Sequence, residues 1–259
     1  MSSVRNENEI KKLLEEKYQQ YNVPEFITND PVSIPHQFDK KEDIEIAGFL
    51  SATIAWGNRK SIIRNANRLL KEMGYYPYEF ILDASEKDFE AFRFFVHRTF
   101  NGIDAVFFLK SLQNIYKYHD GLEAVFSKGY SMGGNLQSAL HYFRTVFLEI
   151  PHEIRTEKHL ANVLKKSSGK RLCMFLRWMV RNDNRGVDFG LWNRIPESAL
   201  MMPLDVHTGT VSRKLGLLNR KQNDWQAVEE LTAALREFDA DDPVKYDFAL
   251  FGMGVDGVL

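Results

Sequence analysis

An all-α fold follows from three features of the sequence. Apolar residues recur at i, i+3, i+4 and i+7 in several stretches, which is the period of a helix with one buried face. No run sustains the period-two alternation of a half-buried strand. The one Asn-Gly pair, in "FNGID", is not flanked by β-rich runs and reads as a link between helices.

Taken in order, the opening "MSSVRNENEIKKLLEEKYQQY" is charged and lacks the apolar core of a signal peptide. "NDPVSIPHQF" (29–38), with Pro24 just before it, reads as an irregular connection. A helix is predicted from about Ile44 to Thr53, with Ile46, Ala47, Leu50 and Ile54 on one side. A short "AWGNRKS" turn then leads to a second amphipathic helix carrying Ile62, Ile63, Ala66, Leu69 and Leu70. "GYSMGGNLQ" (129–137) is a Gly-rich turn; without a preceding strand and a Lys-Ser/Thr signature it is not a phosphate-binding loop. Leu172, Phe175, Leu176, Met179 and Val180 mark a third amphipathic helix, followed by a long connector (182–203) with Gly186, Gly190 and Pro196. Long ordered connectors in compact domains tend to serve function. "PLDVHTGTVSRKLGLL" (203–218) then puts Asp205 where an N-cap belongs, because its carboxylate can accept the first free amides of a helix.

With 259 residues, 44% apolar and 13% aromatic, the chain can bury a substantial core. No apolar run approaches bilayer length. The single Cys173 excludes an internal disulfide and any cysteine-built zinc or iron–sulfur site, and its place in an apolar stripe marks a buried structural thiol. The net charge of −1 conceals segregation: residues 155–185 hold nine Lys/Arg and two acids, 57–72 hold five and one, and 223–247 hold two against eight acids. That distribution permits a basic face of the kind a phosphate backbone requires; taken singly, each run is also what a solvated helix face looks like.

Three stretches carry a resemblance. "LKKSSGKRLCMFLRWMVR" (164–181) is a polar turn leading into a helix that opens with Lys170; "PLDVHTGTVSRKLGLL" follows with Asp205; "EIAGFLSATIAWGNRKSIIRNANRLL" (45–70) lies upstream. In this order they resemble the helix-hairpin-helix (HhH-GPD) DNA glycosylase superfamily, nearest its archaeal oxoguanine glycosylase branch, and "FLRWMVR" with "PLDVHTGTV" is similar to an uncharacterised bacterial family of it. The turn Ser167-Ser168-Gly169 departs from the Leu-Pro-Gly-x-Gly of that superfamily, and Lys170 and Asp205 stand 35 residues apart, wider than in most of its members.

The resemblance implies two helical lobes flanking a central cleft, near 46–185 and near 1–45 plus 186–259. It implies Lys170 as a Schiff-base lysine and Asp205 as the essential carboxylate. Asp247 and Phe251, one helical turn apart, correspond to base-recognition residues, and Asn58 to a wedge filling the vacated stack. Around them Arg59, Lys60, Lys166, Ser168, Gly169, Arg171, Gly209, Thr210 and Arg213 are candidate DNA contacts, with Lys214 beside them. The chemistry suits these residue types. Breaking an N-glycosidic bond builds positive charge on the sugar that a carboxylate stabilises, and a neutral lysine can attack the anomeric carbon. The target base must leave the duplex, which calls for a wedge and a pocket.

Several residues keep two readings. Asp205 is an N-cap as well as a candidate carboxylate, Lys170 a phosphate contact as well as a nucleophile, Asn58 a turn residue as well as a wedge, and Asp247 a solvent-facing acid as well as a base contact. His207 suits a structural hydrogen bond, the remaining histidines lack ligand spacing, and no metal is expected. Trp178, Trp192 and Trp225 suit cores, Trp192 also a cleft lining. The expectation is a DNA glycosylase with AP-lyase activity acting on an oxidised purine. It would be a cytoplasmic, nucleoid-associated base-excision repair enzyme that takes damaged double-stranded DNA, with no cofactor, no membrane association and no obligate protein partner. A non-catalytic DNA- or RNA-binding module on the same scaffold, and a helical protein adaptor, are the alternatives.

Overall fold

The computed structural model describes residues 6–258 and is 67% helix and 2% strand. Among the described residues twelve α-helices run in order: α1 (Glu7–Tyr21), α2 (Lys41–Thr53), α3 (Arg59–Glu72), α4 (Pro77–Asp83), α5 (Glu86–Phe89), α6 (Gly102–Tyr118), α7 (Gly121–Gly133), α8 (Leu136–Phe147), α9 (Lys170–Val180), α10 (Val206–Lys214), α11 (Trp225–Arg236) and α12 (Tyr246–Asp256). The only sheet among those residues is an antiparallel hairpin of β1 (Val96–His97) and β2 (Phe100–Asn101). No described helix is long and apolar enough to cross a membrane.

The chain divides into two compact units, one of Ile27–Asn162 and one of the segments up to Phe26 and from Val163 onward. The expected boundaries at 46 and 185 therefore move to 27 and 162, and the lysine helix α9 joins the unit that holds Asp205.

In the 27–162 unit the Pro-rich connection is ordered, folding as 3-10 turns at Pro31–Ser33 and Pro35–Gln37, the first capped by Asp30 through Val32 N at 3.1 Å. Helix α2 is buried from Asp43 to Thr53, so the expected one-sided stripe is instead a helix covered all round. Its polar side chains are paired accordingly: Ser51 Oγ donates to Pro31 O at 2.8 Å, Glu45 accepts from Tyr116 Oη at 2.6 Å, and Asp43 accepts from Tyr78 N at 2.8 Å. Around it much of the chain's phenylalanine meets in one cluster, with Phe126 stacked on Phe143 at 4.2 Å and Phe108 edge-on to Phe147 at 4.8 Å.

"FNGID" does lead into a helix, but out of a hairpin. Asn101 caps α6, accepting from Ile103 N at 3.1 Å, and a Cβ on Gly102 would lie 1.9 Å from the Arg93 carbonyl oxygen. Close backbone approach therefore explains the glycine, while the hairpin reverses at Arg98–Thr99. The Gly-rich 129–137 stretch is mostly helix: α7 continues to Gly133 and breaks at Gly134, whose φ of +68° suits glycine.

In the other unit α1 opens with a capping box between Asn6 and Glu9 and buries Ile10, Leu14 and Tyr18 at i, i+4 and i+8; it packs on α12, which also packs on α10. Helix α9 is buried from Leu172 onward, and two arginines go in with it. Arg177 Nε donates to Asp188 at 3.2 Å and its Nη1 to Asp247. Arg181 meets Asp242 at 2.9 Å, Asp183 at 2.7 Å, Asp188 at 3.1 Å and the Tyr18 hydroxyl at 2.9 Å. Burial raises the Asp188 carboxyl against the pull of both arginines. At Asp183, where burial also pushes upward, Arg181, the Arg185 amide and the Tyr18 hydroxyl win and hold it low.

The basic run at 155–185 and the acidic run at 223–247 are thus partly one structure. Arg177 and Arg181 are buried against Asp247 and Asp242 and contribute nothing to a basic face. Removing one member of such a network leaves buried charge uncompensated, at about 3–5 kcal/mol. We expect Arg181→Met, which keeps the packing volume, to lower the urea-unfolding free energy by about 3 kcal/mol or more; a loss under about 1 kcal/mol would show that the three carboxylates do not depend on this guanidinium.

Candidate catalytic pair

A tight polar turn and an N-cap bring an amine and an acid together. After a 3-10 turn at Val163–Lys165 the chain reverses through Lys166 (φ +67°) and Gly169 (φ +64°), and α9 begins at Lys170. Lysine is costly in the left-handed region and glycine is not, so Gly169 is the residue that permits the reversal. Ser167 Oγ accepts from Gly169 N at 3.2 Å, and Ser168 Oγ donates to Leu204 O at 3.4 Å, tying the turn to the strand of chain that delivers Asp205.

Asp205 is the N-cap of α10, its Oδ1 accepting from Thr208 N at 3.0 Å, while Asn223 Nδ2 donates to its carbonyl at 3.0 Å. The other carboxylate oxygen, Oδ2, lies 3.9 Å from Lys170 Nζ, and the two side chains are 24% and 23% exposed. That distance is too long for a direct hydrogen bond and short enough for an ion pair. Lys170 Nζ also lies 3.4 Å from Met174 Sδ, one turn along α9. Asp205 is thus cap and ion-pair partner at once, one oxygen for each.

Asp247, at the second position of α12, is buried behind this pair with Oδ2 held by Arg177. Burial raises its carboxyl to about 6, the Asp205 charge adds to the rise, and Arg177 and Lys170 oppose it. A solvent-facing acid is therefore ruled out for Asp247. Cys173 lies nearby, its thiol pushed up to about 12 by burial and by Asp247; it is an inert core residue. Phe251, one turn beyond Asp247, is half-buried with its ring edge-on to His207 at 6.1 Å, and His207 Nδ1 sits 3.1 Å from Gly254 O, the structural bond expected of it.

The other predicted residues scatter. Arg213 donates to Arg220 O at 2.8 Å and to Asn223 Oδ1 at 2.6 Å, and a Cβ on Gly209 would lie 2.8 Å from Arg213 Nη1 and 2.9 Å from Asn223 Oδ1. The bare face of Gly209, expected to admit a DNA backbone, is filled by the protein's own side chains. Thr210 Oγ1 bonds back to Val206 O at 2.7 Å. Lys166 and Lys214 are exposed, and burial pulls half-buried Arg171 down to about 10. Trp178, Trp192 and Trp225 are all buried, so Trp192 packs edge-on against Phe175 (5.5 Å) and lines no opening. Asn58, Arg59 and Lys60 belong to the 27–162 unit, where Asn58 caps α3 through Ser61 N at 3.2 Å, the turn role. Sequence reasoning missed Arg177, Asp188 and Arg181; the available signal was an arginine pair at i, i+4 inside an otherwise apolar helix.

The family model described as "Protein of unknown function (DUF2400)" matches residues 30–256, and the chain belongs to that family. This corrects the resemblance to helix-hairpin-helix glycosylases, since the matching family is not one of theirs. The residues show why short motifs misled: the turn lacks the Leu-Pro-Gly-x-Gly sequence, and a three-residue 3-10 turn stands where a first hairpin helix is required. No curated protein and no solved structure matches the chain.

The coupling between the three charges is measurable. Removing the Asp205 charge in Asp205→Asn should move the Asp247 carboxyl down from about 6, and Lys170→Met should move it up, as read by carbon-detected NMR titration. The proton bound to Asp247 is held more tightly folded than unfolded. Its contribution to stability is therefore present at low pH and is lost as pH rises from the ordinary 3.8 through about 6. An Asp247 titration indifferent to both substitutions would separate it from the pair.

Proposed function

For this member of the DUF2400 family we propose a DNA N-glycosylase with associated AP-lyase activity, acting on an oxidised purine through Lys170 and Asp205. The observation that carries the reading is the 3.9 Å approach of a part-exposed amine to a part-exposed carboxylate across a turn and a helix start.

The pair has the parts for the reaction. Asp205 Oδ2 accepts a proton from the Lys170 ammonium, and the freed lone pair forms the N–C1′ bond while the C1′–base bond breaks. The base leaves with that electron pair and takes the proton from Asp205. One N–H proton of the resulting ammonium passes to O4′ as the C1′–O4′ bond breaks, giving a protonated imine; Asp205 then takes a C2′ proton, and the freed C–H electron pair forms C2′=C3′ as the C3′–O bond breaks and the 3′ phosphate leaves, the lyase step. After handing its proton to the base, Asp205 is a carboxylate again and its charge stabilises the cationic nitrogen at C1′, held in place by Thr208 N and the head of α10. The turn 166–169 and the first amides of α9 are offered as a phosphate contact, as helix starts favour anions. Asp247 with Phe251 remains the proposed base-recognition pair, with Arg177 fixing the acid's orientation.

Borohydride tests this directly, because hydride reduces the imine to a stable amine. Wild type should cross-link to a duplex bearing an oxidised purine. Lys170→Met should give no adduct, and Asp205→Asn, which preserves the cap, should lose about 100-fold or more in base release. Binding without any adduct across oxidised purines and abasic sites would overturn the enzyme and leave the non-catalytic binding module.

A further inference from the structure

Helix α3 carries Lys60, Arg64, Arg68 and Lys71, all exposed and spaced i, i+4, i+8 and i+11, on one face of the helix. None of the four is ion-paired among the described residues; Glu72, the helix's one acid, closes its C-terminal end. The row extends about 16 Å along the axis, the rise of about five nucleotides of one strand at 3.4 Å each.

At its side stands an aromatic that the core does not use. Phe94 is 83% exposed, and Val96 beside it 56%. The Phe94 backbone is held beside the row: Arg68 Nη2 donates to its carbonyl at 3.3 Å, and the Arg68 guanidinium lies 5.8 Å from the neighbouring Phe95 ring. The hairpin that follows is anchored to the same helix, since His97 Nδ1 lies 2.8 Å from Asn65 Nδ2 and its Nε2 lies 3.2 Å from Trp56 O. Burial lowers the His97 imidazole, keeping this anchor neutral. Exposed Arg98 at the hairpin tip lies against Gly57, where a Cβ would sit 2.7 Å from its Nη1, adding a cation near the N-terminal end of the row.

We propose that this face of α3 with Phe94 binds an unpaired nucleic-acid strand, phosphates along the Lys60–Arg64–Arg68–Lys71 row and a base stacked on Phe94. Cations in line without carboxylate partners supply a sequence-independent attraction, and an exposed ring on a held backbone beside them supplies what a polyanion without bases cannot use. The inference shares only its partner class with the proposed function and needs neither Lys170 nor Asp205.

Anisotropy with a labelled oligothymidylate measures it on the full chain. The triple variant Lys60→Gln/Arg64→Gln/Lys71→Gln should reduce the slope of log affinity against log salt by about 2, at about 0.7 per lost contact. Phe94→Ala should weaken oligothymidylate about fivefold or more and leave an abasic strand of equal length unaffected; its exposure makes misfolding a small concern, checked by circular dichroism. No binding by the wild type, an unchanged slope, or equal loss on the abasic strand would each overturn the proposal, as would equal competition by polyglutamate. Stripe-dependent binding without borohydride trapping sinks the enzyme alone; trapping with binding indifferent to the stripe sinks this surface alone.

Discussion

The buried guanidinium groups of α9 set the constraint on which the Lys170 unit depends. Arg177 and Arg181 cannot be taken out of water without carboxylates, and those carboxylates come from 183–188 and from 242–247, so the helix can bury its polar side only when these distant segments fold around it. Lys170, Met174, Arg177 and Arg181 stand at i, i+4, i+7 and i+11, one face of α9. Fixing the two arginines therefore fixes the rotation of the helix, and with it the direction in which Lys170 leaves its first turn.

Charge along that face is graded. At the inner end Arg181 meets three acids and the Tyr18 hydroxyl; in the middle Arg177 is shared between Asp188 and Asp247; at the outer end Lys170 meets Asp205 with both partly in water. Asp247 belongs to both regimes, bonded to the structural arginine and raised in part by the Asp205 charge. The charges of the exposed pair therefore act on a carboxyl of the buried network, Asp205 raising it and Lys170 lowering it.

Much of this was legible in sequence and some was not, for identifiable reasons. Helices α3 and α9 announce themselves by an apolar period, and the cap at Asp205 by residue type, whereas Asn58 reads only as a turn residue until α3 is seen to start from it. The hairpin at 96–101 escapes because two-residue strands have no period to detect. The unit boundary near 162 escapes because what binds α9 to its unit is pairing with acids from far along the chain, which composition registers only as a basic run and an acidic run. Phe94 escapes because nothing local distinguishes an exposed phenylalanine from the buried ones around it.

At Asp205 the bland and the chemical readings of one residue turn out to divide the same carboxylate. An N-cap must aim one oxygen at the amides of its own helix, and that demand is met by Thr208 N. The second oxygen is then held by the cap itself, at the helix end whose dipole favours a negative charge, facing outward toward Lys170. A residue placed by local helix chemistry is thus already oriented toward a partner by the same bond that caps its helix. The division of the two oxygens follows from where Thr208 N and Lys170 Nζ lie, and holds whatever family the chain belongs to.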